Sequence, residues 1–362
     1  MAWGTPDLQV RSIVTESTKR SIKARNYGCR ITERVSLDQL AAVIIENEKL
    51  RITVLAGRGA DVVEFLYKPR DMDFVWLTST GIRGNSLNPN PRDDVASFLE
   101  DYPGGWQTIF PNGGAPSEYR GIALGQHAEV AILPWEYQLL EDTAERSSVR
   151  FTVSTKKFPY RVEKTFSIKS CSARCDIQER ITNLSGETLQ AMWGTHFTFG
   201  PPFLSTDSRV TVSGEANVIP QNYLEKDSNR RVGTVDNFPW PKGRDREGNE
   251  IDFSKLPPVG TQSEMLYLNN LSAGQYRVDT PSNKLAAEVT WDLNLFPYLW
   301  YWQEFGSSLE APWFGKHYNI GLEPFSSFPT NGLAEAINNC TALTFEPYSE
   351  KMQSLSFEVL EI

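Results

Sequence analysis

Between residues 136 and 193 apolar and polar side chains alternate along the chain. The segments 136–140, 148–154, 160–168 and 175–182 each place apolar residues at every second position, the period of a strand with one face packed and the other wet or facing a second sheet. Asn183-Leu-Ser-Gly186 predicts a turn and 189–193 the next strand. Upstream, 43–55 reads as two strands around a turn at Asn47. Gly57-Arg-Gly-Ala60 breaks the run, and 62–67 and 73–77 resume it. Downstream, 210–212 and 216–219 are short strands inside a polar stretch that extends to about residue 260. The segments 264–268, 275–278 and 284–291 rebuild a sheet, and a last β pair, 342–345 with 355–360, closes the chain. Residues 78–126 carry many breakers, among them Asn88-Pro-Asn-Pro91 and Pro111-Asn-Gly-Gly-Ala-Pro116, with a short helix over 96–100. So long an aperiodic stretch in a compact domain is usually functional. Residues 1–40 read as an N-terminal extension in which 35–41 makes a short helix or a turn. Residues 41–362 read as a single all-β domain.

Composition narrows the class. Ten tryptophans, 13 tyrosines and 19 phenylalanines among 25 glycines and 22 prolines favour β structure with flat rings available to a ligand. A net charge of −9 excludes a nucleic-acid footprint, which would be basic, and no apolar run is long enough to span a membrane. The opening Met1-Ala-Trp-Gly-Thr-Pro-Asp7 lacks a basic stretch followed by an apolar one, so the expected compartment is the cytoplasm. Four cysteines in 362 residues form no disulfide framework. Cys171 and Cys175 invite a metal reading, but three histidines and no C-x-x-C argue against it, and a spacing of four suits two ordinary strand residues on one face. No metal and no cofactor are expected.

The candidate chemistry lies in three segments framed by glycine, proline and aromatic residues: Gly125-Gln-His127-Ala-Glu129; Trp193-Gly-Thr-His196 running on to Phe203; and Trp313-Phe-Gly-Lys-His317 running through Gly321-Leu-Glu323-Pro-Phe325. They contain all three histidines. A carboxylate set among Ile320, Leu322, Pro324 and Phe325 is costly to bury unless paired, hydrogen-bonded or functional; the plainer alternative is that Glu323 caps a turn. Pro324 cannot donate to a ladder, which predicts a strand ending there with Glu323 at its tip.

These three motifs and the meander ENEKLRITVLAGRGADVVEFLYK, in this order from about residue 43 onwards, resemble the aldose 1-epimerase, or galactose mutarotase-like, superfamily. The resemblance implies a β-supersandwich of mainly antiparallel strands and a reaction that interconverts the α and β anomers of a sugar. It implies that Glu323 is the general base on the anomeric hydroxyl, His196 the general acid on the ring oxygen, and His127 a hydrogen-bonding partner of the sugar. Substrate contacts are expected from Trp193, Trp302, Gln303 and His317, and from Arg83, the nearest candidate for the family's Asn-Arg pair. On alternation, Trp300 and Trp302 share a strand face and split from Tyr301. A phosphosugar would call for an arginine cluster, for which Arg83, Arg92 and Arg120 are available. The expected partner is a monosaccharide or small saccharide, bound by a monomer or homodimer. The alternatives are a non-catalytic carbohydrate-binding protein, or another carbohydrate isomerase or lyase reusing the same residues.

Overall fold

The computed structural model describes residues 25–84, 94–221 and 230–362. Three antiparallel sheets carry the architecture. A five-stranded meander runs in sequence order: Arg30–Leu37, Leu40–Glu46, Leu50–Leu55, Asp61–Tyr67 and Met72–Asp73. One eight-stranded sheet is ordered Arg209–Val212, Gln275–Thr280, Leu285–Trp291, Glu350–Glu361, Arg174–Asn183, Tyr160–Lys169, Arg146–Ser154, Glu136–Asp142. The other, which carries the site, is ordered Phe238–Pro239, Asn217–Pro220, Glu264–Asn269, Tyr298–Phe305, Tyr318–Phe325, Gly194–His196, Gln107–Ile109, with Thr198–Phe199 also pairing on Tyr318–Phe325.

The sheets meet around Phe357. Its ring contacts Phe65 and Phe74 from the meander side and Trp106, Phe197 and Phe199 from the site-bearing sheet, at centroid distances from 4.4 to 6.4 Å. Because Phe197 and Phe199 turn inward, alternation sends the even-numbered positions beside them, His196 and Thr198, to the opposite face. A buried ion pair lies in the same interior: Lys164 Nζ is 3.8 Å from Glu179 Oε1, both side chains sealed from solvent. Glu179 also accepts from Trp193 Nε1 and from the Thr108 hydroxyl, which ties both sheets to one carboxylate.

Most predicted strands are present, and the departures have local causes. The boundary expected at 40/41 falls inside a hairpin. Asp38 and Gln39 adopt left-handed φ of 44° and 69° and make the two-residue turn, so 35–41 is strand, turn and strand and not a helix, and Arg30–Leu37 is already the first strand of the meander. The two closing strands do not pair with each other. Leu343–Phe345 pairs with Leu189–Ala191, and Glu350–Glu361 lies between Arg174–Asn183 and Leu285–Trp291. Cys171 is exposed in the turn before Arg174–Asn183, whereas Cys175 is buried in that strand, so the two thiols do not share a strand face. A helix, Leu333–Asn338, was not expected. The expected helix over 96–100 is present as Ala96–Leu99, while Asn85, the Asn88-Pro-Asn-Pro91 run and Arg92 lie outside the described residues.

Candidate active site

Glu323 does not end its strand. Tyr318–Phe325 continues two residues past it, and Pro324 acts on the neighbouring ladder instead. Leu322 donates its N–H to Phe197 O and Ser326 donates to Trp193 O, each at 2.8–2.9 Å. The donor due midway between them falls on Pro324, which has no N–H. The pairs Gly194↔Phe325 and Thr198↔Gly321 fix one register across this gap, and in it His196 sits opposite Glu323. On the other side Glu323 pairs with Trp300, and His196 pairs with Gln107. Residues directly opposite in an antiparallel sheet share a face, so His196, Glu323 and Trp300 form one row.

In that row His196 Nε2 is 3.3 Å from Glu323 Oε1. Both side chains are almost wholly buried, and neither His196 Nδ1 nor Glu323 Oε2 has a hydrogen-bond partner among the described residues. Gly321 makes room for the carboxylate: a Cβ there would lie 2.7 Å from Glu323 Oε1 and 3.3 Å from the Trp302 ring. Burial raises the Glu323 carboxyl well above its usual range. Burial, and then the nearby His127, hold His196 well below its own.

His127 reaches the same space from a loop. Its φ is 49°, a left-handed conformation uncommon outside glycine. Asn112 holds the loop in place through Nδ2 donated to Gly125 O and Ala115 O, at 2.8 and 2.9 Å. Gly114 clamps both backbone and ring: its carbonyl accepts the His127 backbone N–H at 3.1 Å, and its own N–H is donated to His127 Nδ1 at 3.2 Å. Only glycine fits at 114, since φ is 79° and a Cβ would lie 2.0 Å from Thr330 O. With Nδ1 accepting, the neutral ring carries its proton on Nε2. The ring is neutral at ordinary pH, because burial lowers its pKa to about 4. The His127 and His196 ring centroids are 5.6 Å apart.

The three residues line one cavity of about 520 Å³, within the size range of small-molecule sites. Trp300 forms its floor, stacked on Phe325 at 3.7 Å and held by Nε1 donated to Ser327 O at 2.8 Å. Half-buried Trp302 packs against Trp313 at 5.4 Å and His196 at 5.9 Å. The helix Ala96–Leu99 contributes Phe98 and Leu99. Tyr102 follows, stacked on Phe98 at 4.9 Å, with a buried hydroxyl that has no partner among the described residues. Met265, Gln126 and Thr330 also line the cavity.

Other residues expected at the site lie elsewhere. Trp193 is fully buried beneath the sheet, with its indole N–H donated to Glu179 at 2.9 Å. Gln303 is buried on the face opposite Trp302, where its amide oxygen accepts from Arg231. His317 stands behind the wall, edge-on to Trp76 and Trp313 at 5.3 and 5.6 Å. Arg83 is exposed, and so is Arg120, which donates to Thr188 O. None of these lines the cavity. Conversely, Tyr102, Phe98 and Met265 do; the aperiodicity of 78–126 was the one signal for the first two, and Met265 lay in an expected strand with nothing to single it out.

Comparison with solved structures places this fold in a known class. The chain superposes on a proposed aldose 1-epimerase from Klebsiella pneumoniae with a TM-score of 0.70 at 16% identity, covering 92% of this chain and 83% of that one. A galactose mutarotase-like protein from Clostridium acetobutylicum gives 0.65 at 13% identity, covering 92% and 99%. A galactose mutarotase related enzyme from Lactobacillus acidophilus gives 0.61 at 16% identity, covering 88% and 97%. The fold is therefore the galactose mutarotase-like β-sandwich. No curated protein matches the chain. Residues 39–359 match the family described as "Domain of unknown function (DUF4432)", and the chain belongs to that family.

Proposed function

We propose that this protein interconverts the α and β anomers of a sugar by acid–base ring opening. The observation that carries the reading is the Glu323–His196 pair, 3.3 Å apart in a cavity large enough for a saccharide. Ring opening takes a proton from the anomeric hydroxyl and gives one to the ring oxygen, two atoms bonded to the same carbon. Two proton-exchanging groups side by side match that demand. Burial disfavours charge on both partners and so favours a pair that holds one proton: protonated Glu323 beside neutral imidazole, or, after a transfer across 3.3 Å, carboxylate beside imidazolium.

A bound sugar favours the second arrangement by donating its anomeric hydroxyl to the carboxylate. Glu323 then removes that proton while His196 protonates the ring oxygen and the C–O bond breaks. Rotation about the first carbon–carbon bond and closure with the roles reversed give the other anomer and restore the starting proton count. His127 supplies Nε2–H as a fixed neutral donor to a sugar oxygen. Trp302 offers a ring face to the C–H side of the pyranose. Nothing in this cycle consumes a cofactor. NMR exchange spectroscopy over a panel of free sugars tests it. The reading expects anomer interconversion above the buffer rate for at least one sugar. Binding without acceleration, or a product that is not an anomer, would replace it with a binding protein or a different isomerase or lyase.

A further inference from the structure

The wall around the reacting pair is more apolar than ring opening requires. Phe98, Leu99, Met265, Trp300, Trp302 and Trp313 all present carbon to the cavity. Beyond His196 and Glu323, the polar side-chain groups among the described lining residues are few: Nε2–H of His127, the hydroxyl of Tyr102, the amide of Gln126 and the hydroxyl of Thr330. The last is already engaged with Tyr267 at 2.8 Å and Gln221 at 3.2 Å. No lysine or arginine is among those lining residues.

We infer that the sugar taken by this site is neutral and poor in hydroxyls: a deoxy sugar with a free reducing end. The inference rests on the proposed function and adds the substrate class. Phosphate or carboxylate groups are bound by charge-assisted donors, above all arginine. This cavity instead offers a buried carboxylate and apolar rings. A sugar hydroxyl pressed against Trp313, Met265 or Leu99 gives up its hydrogen bond to water and gains none there. A methyl or methylene at the same place buries carbon against carbon. Each misplaced hydroxyl weakens binding roughly 10- to 100-fold. Tyr102, buried and with a hydroxyl that has no partner among the described residues, and the His127 donor both border the reacting pair. Two of these polar groups, on Tyr102 and His127, therefore lie at the anomeric end, and apart from the Gln126 amide the free lining groups left for the remainder of the ring are apolar.

The test compares each parent hexose with its own deoxy counterparts: glucose with 6-deoxyglucose and 2-deoxyglucose, galactose with fucose of the same series, and mannose with rhamnose of the same series. Glucose 6-phosphate and glucuronate are the anionic probes. Anomer exchange by NMR should give a kcat/KM at least about tenfold higher for the deoxy member of one or more pairs, with the anionic probes at background. A parent hexose that matches or exceeds its deoxy counterparts in every pair, or an anionic sugar that turns over best, overturns the inference and leaves the proposed function intact. Binding is read separately, by quenching of tryptophan fluorescence with 1,5-anhydro sugars, which cannot ring-open. If no sugar is accelerated, the proposed function fails. In that case an anhydro-deoxy sugar bound at least tenfold more tightly than its parent still supports the substrate class, and equal affinities overturn it.

Discussion

Replacing Gly321 by alanine probes the reacting pair without removing either member. Gly321 lies two residues before Glu323 on the same strand face and opposite Trp302. An added Cβ would sit 2.7 Å from Glu323 Oε1, where ordinary contact begins at 3.4 Å. The obstructing atom is the end of a side chain, so the carboxylate recedes by about 0.7 Å and the backbone stays in place. If that movement falls along the Glu323–His196 vector, the 3.3 Å contact opens to about 4 Å. A misplacement of about 1 Å can cost as much as 100-fold in rate, so kcat should fall roughly 10- to 100-fold, or about 1.4–2.8 kcal/mol of barrier. The stability cost should be at the low end of the 1–3 kcal/mol typical of overpacking. Anomer-exchange kinetics and urea denaturation measure the two effects separately. Full kcat in a variant with a measurable stability loss would refute the claim that the spacing of the pair controls the reaction.

The remaining predictions concern stability and the buried charges. His127 has a depressed folded pKa, about 4 against the usual 6.5, so its contribution to stability is complete above pH 6.5 and is lost as pH falls towards 4. Between pH 7 and pH 5 that loss is about 2 kcal/mol, and urea denaturation of His127→Asn should show a pH dependence shallower by that amount; identical pH dependence in both proteins would remove the buried neutral imidazole from the account. Lys164→Met removes the cation of the buried Lys164–Glu179 pair, and should destabilise by roughly 3–5 kcal/mol in chemical denaturation, with part recovered when Glu179 is also made apolar. A loss under 1 kcal/mol would mean that the Trp193 and Thr108 hydrogen bonds already satisfy that carboxylate.

How much of this was legible in the chain depends on what each feature rests upon. The alternating strands were readable because a half-buried strand must repeat every two residues, and the turns at Asn47 and Asn183 because their side-chain amides bond nearby backbone groups. The pairing of the last strands was not readable, since partner choice depends on contacts remote in sequence. Alternation separated Trp300 and Trp302 from Tyr301, and the first two line the cavity while Tyr301 packs on Trp240. It could not decide which face meets a ligand. The same limit explains Gln303 and Trp193: Gln303 follows Trp302 directly and Trp193 lies three positions before His196, and at an odd separation parity turns each side chain to the other side of the sheet. Pro324 illustrates a finer limit. Its missing N–H was visible, but whether that ends a strand or opens a ladder depends on the strand beside it. Tyr102, Phe98 and Met265 come from segments with no chemical signature and join the site only through the fold.

The most direct test of the central claim is the anomer-exchange rate of Glu323→Gln on the best sugar found for the unaltered protein. The substitution keeps the shape of a buried side chain and removes its capacity to exchange a proton. The account predicts a fall of at least about 100-fold in kcat, with the thermal midpoint and the fluorescence-detected sugar affinity close to those of the parent. A glutamine variant that equilibrates anomers at the parent rate would contradict it.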